Sequence, residues 1–215
     1  AADRTGFYLQ PEGPSWPNHG PKLGLGQPID KYLMDETIAL TKTYGNHASF
    51  CMLACGNEPS GQWVEWVTQF VDFWEKTDPR RVYTGASVGG SWQWQPRNQY
   101  HVKAGARGVP WAKQQPESMS DFRANIDTVS QPFVSHETGQ WCAFPNFNEI
   151  RKYTGVNKAR NFEIFRDLLH DNNMAELGHD FMMASGKLQA LCYKHEIEKT
   201  MRTPDYAGFQ LLALN

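Results

Sequence analysis

The stretch FCMLACGNEP, residues 50–59, decides how the rest of the chain is interpreted. Its first six residues form an unbroken apolar run, which is too short for a helix and is typical of a strand buried on both faces, as in a parallel sheet. The run ends in Asn57 and Glu58, followed by Pro59. Because ligands bind at the carboxyl ends of strands in parallel α/β folds, this stretch predicts an amide and a carboxyl group at a functional position.

The composition indicates an ordinary globular protein. The chain has 215 residues, of which 40% are hydrophobic and 20% charged, so it is long enough to bury a core. A net charge of −2 gives no reason to expect a nucleic-acid partner or an anionic membrane surface. No apolar segment reaches 18 residues, so we expect no membrane insertion, and the first residues do not form a signal peptide.

The remaining segments alternate between strand and helix patterns, which is typical of an α/β fold. Apolar runs predict six strands, near residues 7, 52, 84, 101, 134 and 211, the first over 6–10 and the last over 206–215. Helical periodicity predicts helices over about 30–44, 62–77, 119–129, 159–171 and 174–200. Glycine and proline make 13–28 a loop, and 91–117 is either a surface loop or an aromatic-lined binding loop.

A second carboxylate follows a second apolar strand, in Ser135-His136-Glu137. Glu58 and Glu137 are 79 residues apart, and a (β/α)8 barrel uses roughly 30 residues per unit, so the spacing fits three units, from the fourth strand to the seventh. Retaining glycoside hydrolysis needs two such carboxyl groups, one protonated and one ionised. The pair alone is also compatible with metal binding or proton transfer.

Metal and thiol chemistry are the rival interpretations. His101, His136 and Glu58 could ligate a metal, but no HxH or HxxxH spacing supports a metal site, and we expect no metal or cofactor. A cysteine nucleophile would need a His/Asn partner set and favours a helix N-terminus. The four cysteines show no CxxC pairing and are expected to be buried thiols: Cys51, Cys55, Cys142 and Cys192.

The motifs around the two glutamates resemble a known clan of enzymes. Gly56-Asn57-Glu58 and Ser135-His136-Glu137, each after an apolar strand, resemble the large glycosidase clan with (β/α)8 catalytic domains. The stretch DRTGFYLQPE, residues 3–12, is similar to the third-strand signature of glycoside hydrolase family 2, which includes β-galactosidases, β-glucuronidases and β-mannosidases. The resemblance covers essentially the whole chain and implies a retaining hydrolase of β-linked sugars.

The resemblance also implies a role for each motif residue. Glu58 would be the general acid/base, Asn57 would hold the 2-hydroxyl of the sugar and Glu137 would be the nucleophile. The chain departs from better-known members in three places. Pro59 stands where a small polar residue is usual, and Tyr100-His101 stands where a tyrosine alone supports the nucleophile. The segment 209–215 lacks the tryptophan that commonly forms the base of the sugar site.

Aromatic side chains complete the expected substrate site. Trp16, Trp111 and Trp141 follow predicted strand ends, where an indole could stack on a sugar, although Trp141 could equally be a lid against the barrel rim. The full set of expected substrate-binding residues is Asn57, Glu12, Trp16, Tyr100, His101, Trp111 and Trp141. The expected partner is an oligosaccharide or glycan; a barrel that binds sugar without cleaving it is the alternative, disfavoured because binding alone needs no matched acid and nucleophile.

Family resemblance sets the expected domain organisation. Family 2 enzymes carry β-sandwich domains before the barrel and eight barrel strands, whereas this chain supplies six strands and no sandwich. We therefore expect residues 1–215 to be a partial catalytic barrel, strands three to eight, with a complete six-stranded α/β domain as the alternative. The resemblance suggests a bacterial glycan-degrading enzyme, periplasmic or secreted.

Overall fold

A computed structural model describes residues 1–16, 22–111 and 113–212 of the chain. Parts of three predicted segments lie outside the described residues: 17–21 in the loop 13–28, 112 in the segment 91–117 and 213–215 in the last strand. The chain divides into two compact units. The sheet unit comprises Ala1–Arg107, Met119–Thr138 and Lys199–Asn215, and the helical unit comprises Gly108–Ser118 and Gly139–Glu198.

The sheet unit is built on parallel strands that pair in chain order. The strands are β1 (Met52–Ala54), β2 (Val82–Thr84), β3 (Ser87–Val88), β4 (His101–Lys103), β5 (Phe133–Thr138) and β6 (Tyr206–Leu211). β1 pairs with β2, and β3, β4, β5 and β6 pair in that order, every pair being parallel. Isolated parallel bridges extend this array, from Leu9 to Phe50, from Glu12 to Ala54 and from Asn57 to Ser87. The predicted α/β organisation with parallel strands is confirmed.

The array does not close into a barrel within the described residues. A closed (β/α)8 barrel requires eight strands, with the first hydrogen-bonded to the last. Here six strands are formed, β6 pairs with β5, and the segment around Leu9 and Glu12 pairs with the start and end of the β1 segment. The edges of the array are therefore separate, and the observed fold is an open parallel array.

Two predicted strands differ from the expectation. The segment 6–10 forms single bridges rather than a strand, because Pro11 and Pro14 have no N–H to donate to a ladder. The predicted strand over 81–86 forms only over β2, and the two-residue strand β3 follows it at 87–88. Here the side chains of Gln99 and Asn98 accept hydrogen bonds from the backbone N–H groups of Tyr83 and Gly85, at 2.8 Å each, in place of strand partners.

The helices of the sheet unit are α1 (Ala2–Thr5), α2 (Pro28–Tyr44), α3 (Trp63–Thr77) and α4 (Arg123–Ile126). Helices α2 and α3 cover β1 and β2. Val67, Phe70, Val71 and Trp74 are buried at i, i+3, i+4 and i+7 along α3, the spacing of one helix face. They pack in the core with Leu33 of α2 and with Leu53 and Tyr83 of the strands. Fully burying each such side chain contributes about 1.5–3 kcal/mol.

Helix α4 is much shorter than the predicted helix over 119–129. The Asp121 carboxylate accepts a hydrogen bond from the Arg123 backbone N–H at 2.9 Å, which fixes the start of the helix there. Gln131-Pro132 soon follows, and the residue before a proline avoids helical geometry. Helix α4 is therefore a single turn of four residues.

The helical unit is described by itself. It contains α5 (Arg160–Asp171), 3-10 turns at Phe147–Lys152 and Ala175–Leu177, and residues 178–198 of α6 (Gly178–Arg202). Phe144 makes edge contacts with the rings of Phe147, Phe165 and Phe181, at 5.6–5.7 Å between centroids. No helix in the described part of the chain combines the length and apolarity that a membrane span requires.

The cysteines are all free thiols but not all buried. Cys55 and Cys192 are buried, Cys51 is partly exposed and Cys142 is exposed. The expectation of four buried thiols was wrong for Cys51, which is partly exposed, and for Cys142, which lies in the irregular segment after β5. Burial raises the pKa of the Cys55 thiol, which disfavours its thiolate.

Candidate active site

Glu58 and Glu137 occupy strained backbone positions at the ends of parallel strands. Glu58 follows the bridge between Asn57 and Ser87, and Glu137 lies at the end of β5. Their φ angles are +46° and +53°. Only four non-glycine residues with positive φ occur within the described ranges, and two of them are these glutamates. Left-handed backbone costs roughly 1–2 kcal/mol per non-glycine residue and is concentrated at functional sites.

His136 connects the two strand ends. Its Nε2 lies 3.1 Å from Asn57 Oδ1 and 3.7 Å from Glu137 Oε1. Because an amide oxygen can only accept, the contact with Asn57 requires a proton on Nε2; Nδ1 lies 3.4 Å from Gln210 Oε1 on the other side of the ring. Asn57 is the neighbour of Glu58, so one buried imidazole brings the Asn57-Glu58 motif and the His136-Glu137 motif into a single site.

Glu58 is held from three sides. The Trp16 indole N–H donates to Glu58 Oε2 at 2.9 Å, and the Glu58 backbone N–H donates to the Ser87 carbonyl at 2.8 Å. Gly89 leaves room for the other carboxylate oxygen, since a Cβ on Gly89 would lie 2.8 Å from Glu58 Oε1. The Trp92 indole N–H donates to the Pro59 carbonyl at 2.9 Å and fixes the backbone that follows.

Arg107 is a candidate site residue that the sequence analysis did not identify. Its Nη1 lies 3.1 Å from Glu137 Oε2 and donates to the carbonyl oxygens of His136 and Glu137 at 2.7 and 3.0 Å. The sequence signal was its position in Gly105-Ala-Arg-Gly108, directly after a strand, where parallel folds place their binding residues. The side chains of this pair are both about one quarter exposed, so water screens the interaction only in part.

Glu12 adds a third carboxyl group to the site. Glu12 Oε1 accepts a hydrogen bond from Gln10 Nε2 at 2.8 Å and a second one from the Ser87 hydroxyl. Burial raises the pKa of the Glu12 carboxyl group; the Ser87 hydrogen bond and nearby His136 oppose the increase, and the negative charge of Glu137 adds to it. Glu12 therefore favours its protonated form more than an exposed glutamate does.

Tyr100 and His101 face opposite sides of the array, as adjacent strand residues do. The Tyr100 hydroxyl donates to Gln10 Oε1 at 2.7 Å, so Tyr100 reaches Glu12 through Gln10. Burial raises the Tyr100 pKa well above its usual value. Both Gln10 and Tyr100 also line a cavity of about 610 Å³ near the beginnings of the strands. His101 packs against the Trp94 ring at 5.0 Å, and burial lowers its pKa.

Trp111 and Trp141 belong to the helical unit. The Trp141 indole N–H donates to Glu196 Oε2 at 2.8 Å, and the Trp141 carbonyl accepts from Gln189 Nε2 at 2.6 Å. The ring of Trp111 lies 5.1 Å from that of His195. The structure thus brings Glu12, Trp16, Asn57, Glu58 and Glu137 into one site in the sheet unit, and it places the other two tryptophans among helices.

No cluster of three or more His, Cys, Asp or Glu side chains in the described residues has the arrangement of a metal site. The sheet unit offers carboxyl groups at strand ends, together with an arginine, an imidazole and an indole as hydrogen-bond donors and an amide whose oxygen accepts from the imidazole. Such a set can hold a hydroxylated substrate and transfer protons to and from it.

Comparison with known proteins found neither a matching family model nor a matching curated protein. Among solved structures, the chain is similar to an FMN-binding β-glucuronidase from Facaelibacterium prausnitzii L2-6, with a TM-score of 0.47 and 15% identity over 89% of this chain. It is also similar to a candidate β-galactosidase from Bacteroides fragilis, with a TM-score of 0.44 and 14% identity over 84% of this chain. The chain spans 28% and 24% of the lengths of these two proteins.

Proposed function

We propose that the chain is part of the (β/α)8 catalytic barrel of a family 2 glycoside hydrolase, which cleaves β-linked sugars with retention of configuration. The observation that carries the proposal is the link from Asn57 through His136 to Glu137, which joins two strand-end glutamates, both at positive φ, in one site. A site that only bound sugar would not need two carboxyl groups held at strained positions.

Glu137 is the nucleophile in this proposal. Arg107 donates to Glu137 Oε2, and the His136 Nε2 proton faces Oε1 at 3.7 Å. These contacts keep the carboxylate in one orientation as it attacks the anomeric carbon and forms the glycosyl-enzyme. Charge-assisted hydrogen bonds are suited to this task because they are stronger than neutral ones.

Glu58 is the general acid and then the general base. It donates a proton to the leaving oxygen in the first step, and in the second step it removes a proton from the water that releases the sugar. The Trp16 indole N–H holds Oε2, which leaves Oε1, beside Gly89, as the oxygen that faces the leaving group.

Asn57 positions the sugar. Its Oδ1 accepts the His136 proton, and this contact orients the amide so that its Nδ2 donates to the 2-hydroxyl oxygen. Such a hydrogen bond strengthens as the oxocarbenium-like transition state forms, and it therefore lowers the barrier rather than tightening substrate binding alone.

The proposal is tested with the full-length protein and a series of aryl β-glycosides: galactoside, glucuronide, mannoside and glucoside. After the best substrate is found, Glu137→Ala should abolish formation of the glycosyl-enzyme with every leaving group. Glu58→Ala should react with the dinitrophenyl glycoside, which needs no protonation, and then stall, and added azide should restart it. Glu65→Ala, on the exposed face of α3, is the control and should retain activity.

Two outcomes would contradict the proposal. Azide rescue of Glu137→Ala instead of Glu58→Ala would reverse the two roles. Hydrolysis of none of the glycosides, combined with measurable binding of sugars, would favour the non-catalytic barrel.

A further inference from the structure

An open cavity of about 400 Å³ lies in the sheet unit, between the start of α3 and the segment that follows β3. This volume falls within the range of small-molecule sites, roughly 300–1,000 Å³. The lining combines two indoles, an aliphatic side chain, a hydroxyl group and an amide. The residues that form it are Trp63, Val64, Ser91, Trp92 and Gln93.

The residues of this lining are accessible from solvent. Ser91 and Gln93 are exposed, and Trp63, Val64 and Trp92 are partly exposed. A molecule in the cavity can therefore contact the aromatic and the polar parts of the lining together.

Trp92 connects the cavity to Glu58. A Cβ on Gly89 would lie 2.7 Å from Cζ3 of the Trp92 ring and 2.8 Å from Glu58 Oε1, so the edge of the ring and this carboxyl oxygen border the same small space. The Trp92 indole N–H also donates to the carbonyl of Pro59, the residue after Glu58. In the proposed mechanism Oε1 is the oxygen that faces the leaving group, so Trp92 borders both the cavity and the position of the leaving group.

The turn that carries Trp92 is fixed to the sheet. The Trp92 backbone N–H donates to the Gly89 carbonyl at 3.2 Å. The buried Lys103 ammonium group of β4 donates to the same Gly89 carbonyl at 3.2 Å and to the Trp92 carbonyl. Because a charged donor holds both ends of the turn, the position of the indole beside Glu58 is set by the fold rather than by the substrate.

The chemistry of the lining favours a neutral, hydroxylated ring. The two indoles offer apolar surface to the C–H face of a sugar. The Ser91 hydroxyl and the Gln93 amide can each donate and accept hydrogen bonds, as sugar hydroxyls require. None of the five lining residues is charged, so the lining holds no partner for an anionic or a cationic group. A purely apolar molecule would use only the indoles.

We propose that this cavity is the leaving-group subsite, in which the sugar released in the first step packs on Trp63 and Trp92 and is hydrogen-bonded by Gln93. The glycosidic oxygen takes the proton of Glu58 as its bond to the anomeric carbon breaks, and the sugar leaves with that oxygen as a hydroxyl group.

This inference rests on the proposed hydrolysis and adds the substrate class. The preferred substrate is an oligosaccharide whose leaving group is a neutral sugar, rather than the glycoside of a simple alcohol. The start of the segment 91–117 is then a binding loop, one of the two alternatives that its sequence leaves open.

The test compares two substrates that share the preferred sugar and differ in the leaving group. One is a disaccharide with a neutral hexose as leaving group, chosen from a set that covers the possible linkages. The other is the methyl glycoside, which needs the same proton from Glu58 but is too small to fill the cavity. The measured quantity is the ratio of the two kcat/KM values in the full-length protein, because a loss of folded protein lowers both equally.

The variants remove one part of the lining at a time. Trp63→Leu should lower the ratio by tenfold or more, and Gln93→Ala should lower it by threefold or more. Gln69→Ala, the same change at an exposed position of α3 outside the cavity, is the matched control and should leave the ratio unchanged. In the unmutated protein, replacing the leaving-group hexose by its uronate should lower kcat/KM by tenfold or more.

The proposal is overturned if Trp63→Leu or Gln93→Ala gives the ratio of the control, or if the uronate is hydrolysed as fast as the neutral disaccharide. Failure of the proposed hydrolysis would appear differently, as absence of turnover of both substrates by the unmutated protein, and would remove both claims. Normal turnover with an unchanged ratio would remove only the subsite.

Discussion

Gly89 provides a sharp test of the role of Glu58. In Gly89→Ala, the new Cβ would lie 2.8 Å from Glu58 Oε1 and 2.7 Å from the nearest atom of the Trp92 ring. An ordinary contact begins at about 3.4 Å, so the carboxylate must withdraw by about 0.6 Å or the ring must move. Movement of Trp92 would disturb its hydrogen bond to the Pro59 carbonyl, and either response displaces Glu58.

The size of the effect follows from this displacement. A misplacement of about 1 Å can cost on the order of 100-fold in rate, so about 0.6 Å should cost roughly 10- to 100-fold. The loss should appear in kcat/KM for glycosides with poor leaving groups, because their first step needs the proton of Glu58. The dinitrophenyl glycoside needs no proton, and its kcat/KM should change by less than about threefold, a barrier change below ~0.7 kcal/mol.

Gly90→Ala is the matched control, because the nearest atom to its new Cβ is the Ala104 carbonyl oxygen at 3.6 Å, an ordinary contact. It should behave as the parent with both substrates. Equal losses in Gly89→Ala for poor and good leaving groups would show that the substitution acts through something other than the acid. No loss in Gly89→Ala would refute the assignment of Glu58.

Three further predictions concern neighbouring side chains. Arg107→Met removes a charged hydrogen bond worth about 1.5–3 kcal/mol and should lower kcat and kcat/KM together by roughly 10- to 100-fold; an increase in KM alone would contradict its role at Glu137. Trp16→Phe removes the indole N–H that donates to Glu58 Oε2 and should lower kcat/KM for poor leaving groups by about two- to tenfold. An unchanged kcat/KM would show that this hydrogen bond does not contribute to proton donation by Glu58. The pKa of Glu12 is raised in the folded state, so the folded state binds more protons than the unfolded state. The free energy of unfolding therefore falls as the pH rises above the pKa of a glutamate in the unfolded chain, about 4.3. Glu12→Gln should therefore melt higher than the parent at pH 7, with the difference vanishing at acid pH; a lower melting temperature at pH 7 would contradict this.

Elements governed by local periodicity were predictable from the sequence. The stripe of Val67, Phe70 and Trp74 identified α3 to within one residue, because side chains at this spacing share one helix face. The apolar run before Asn57 likewise identified β1, and the parallel α/β class followed from the alternation of strands and helices. Both glutamates were predicted at strand ends and are found there.

Features that depend on contacts distant in sequence were not predictable. Nothing in the local sequence indicates that Gln99 and Asn98 accept hydrogen bonds from the backbone N–H groups of Tyr83 in β2 and of Gly85 after it. Nor does it indicate that Arg107 donates to Glu137, 30 residues away. The clearance at Gly89 depends on the position of a side chain 31 residues away. Such arrangements are determined by tertiary packing, which hydrophobic periodicity does not predict.

The central claim is that Glu137 forms a covalent bond to the sugar. The most direct measurement is mass spectrometry of the full-length protein after inactivation with the 2-deoxy-2-fluoro dinitrophenyl glycoside that matches the preferred sugar, followed by peptide mapping. The account predicts one fluoroglycosyl group per chain, attached to Glu137. A label on any other residue, or turnover without a trapped intermediate and with inversion at the anomeric carbon, would contradict it.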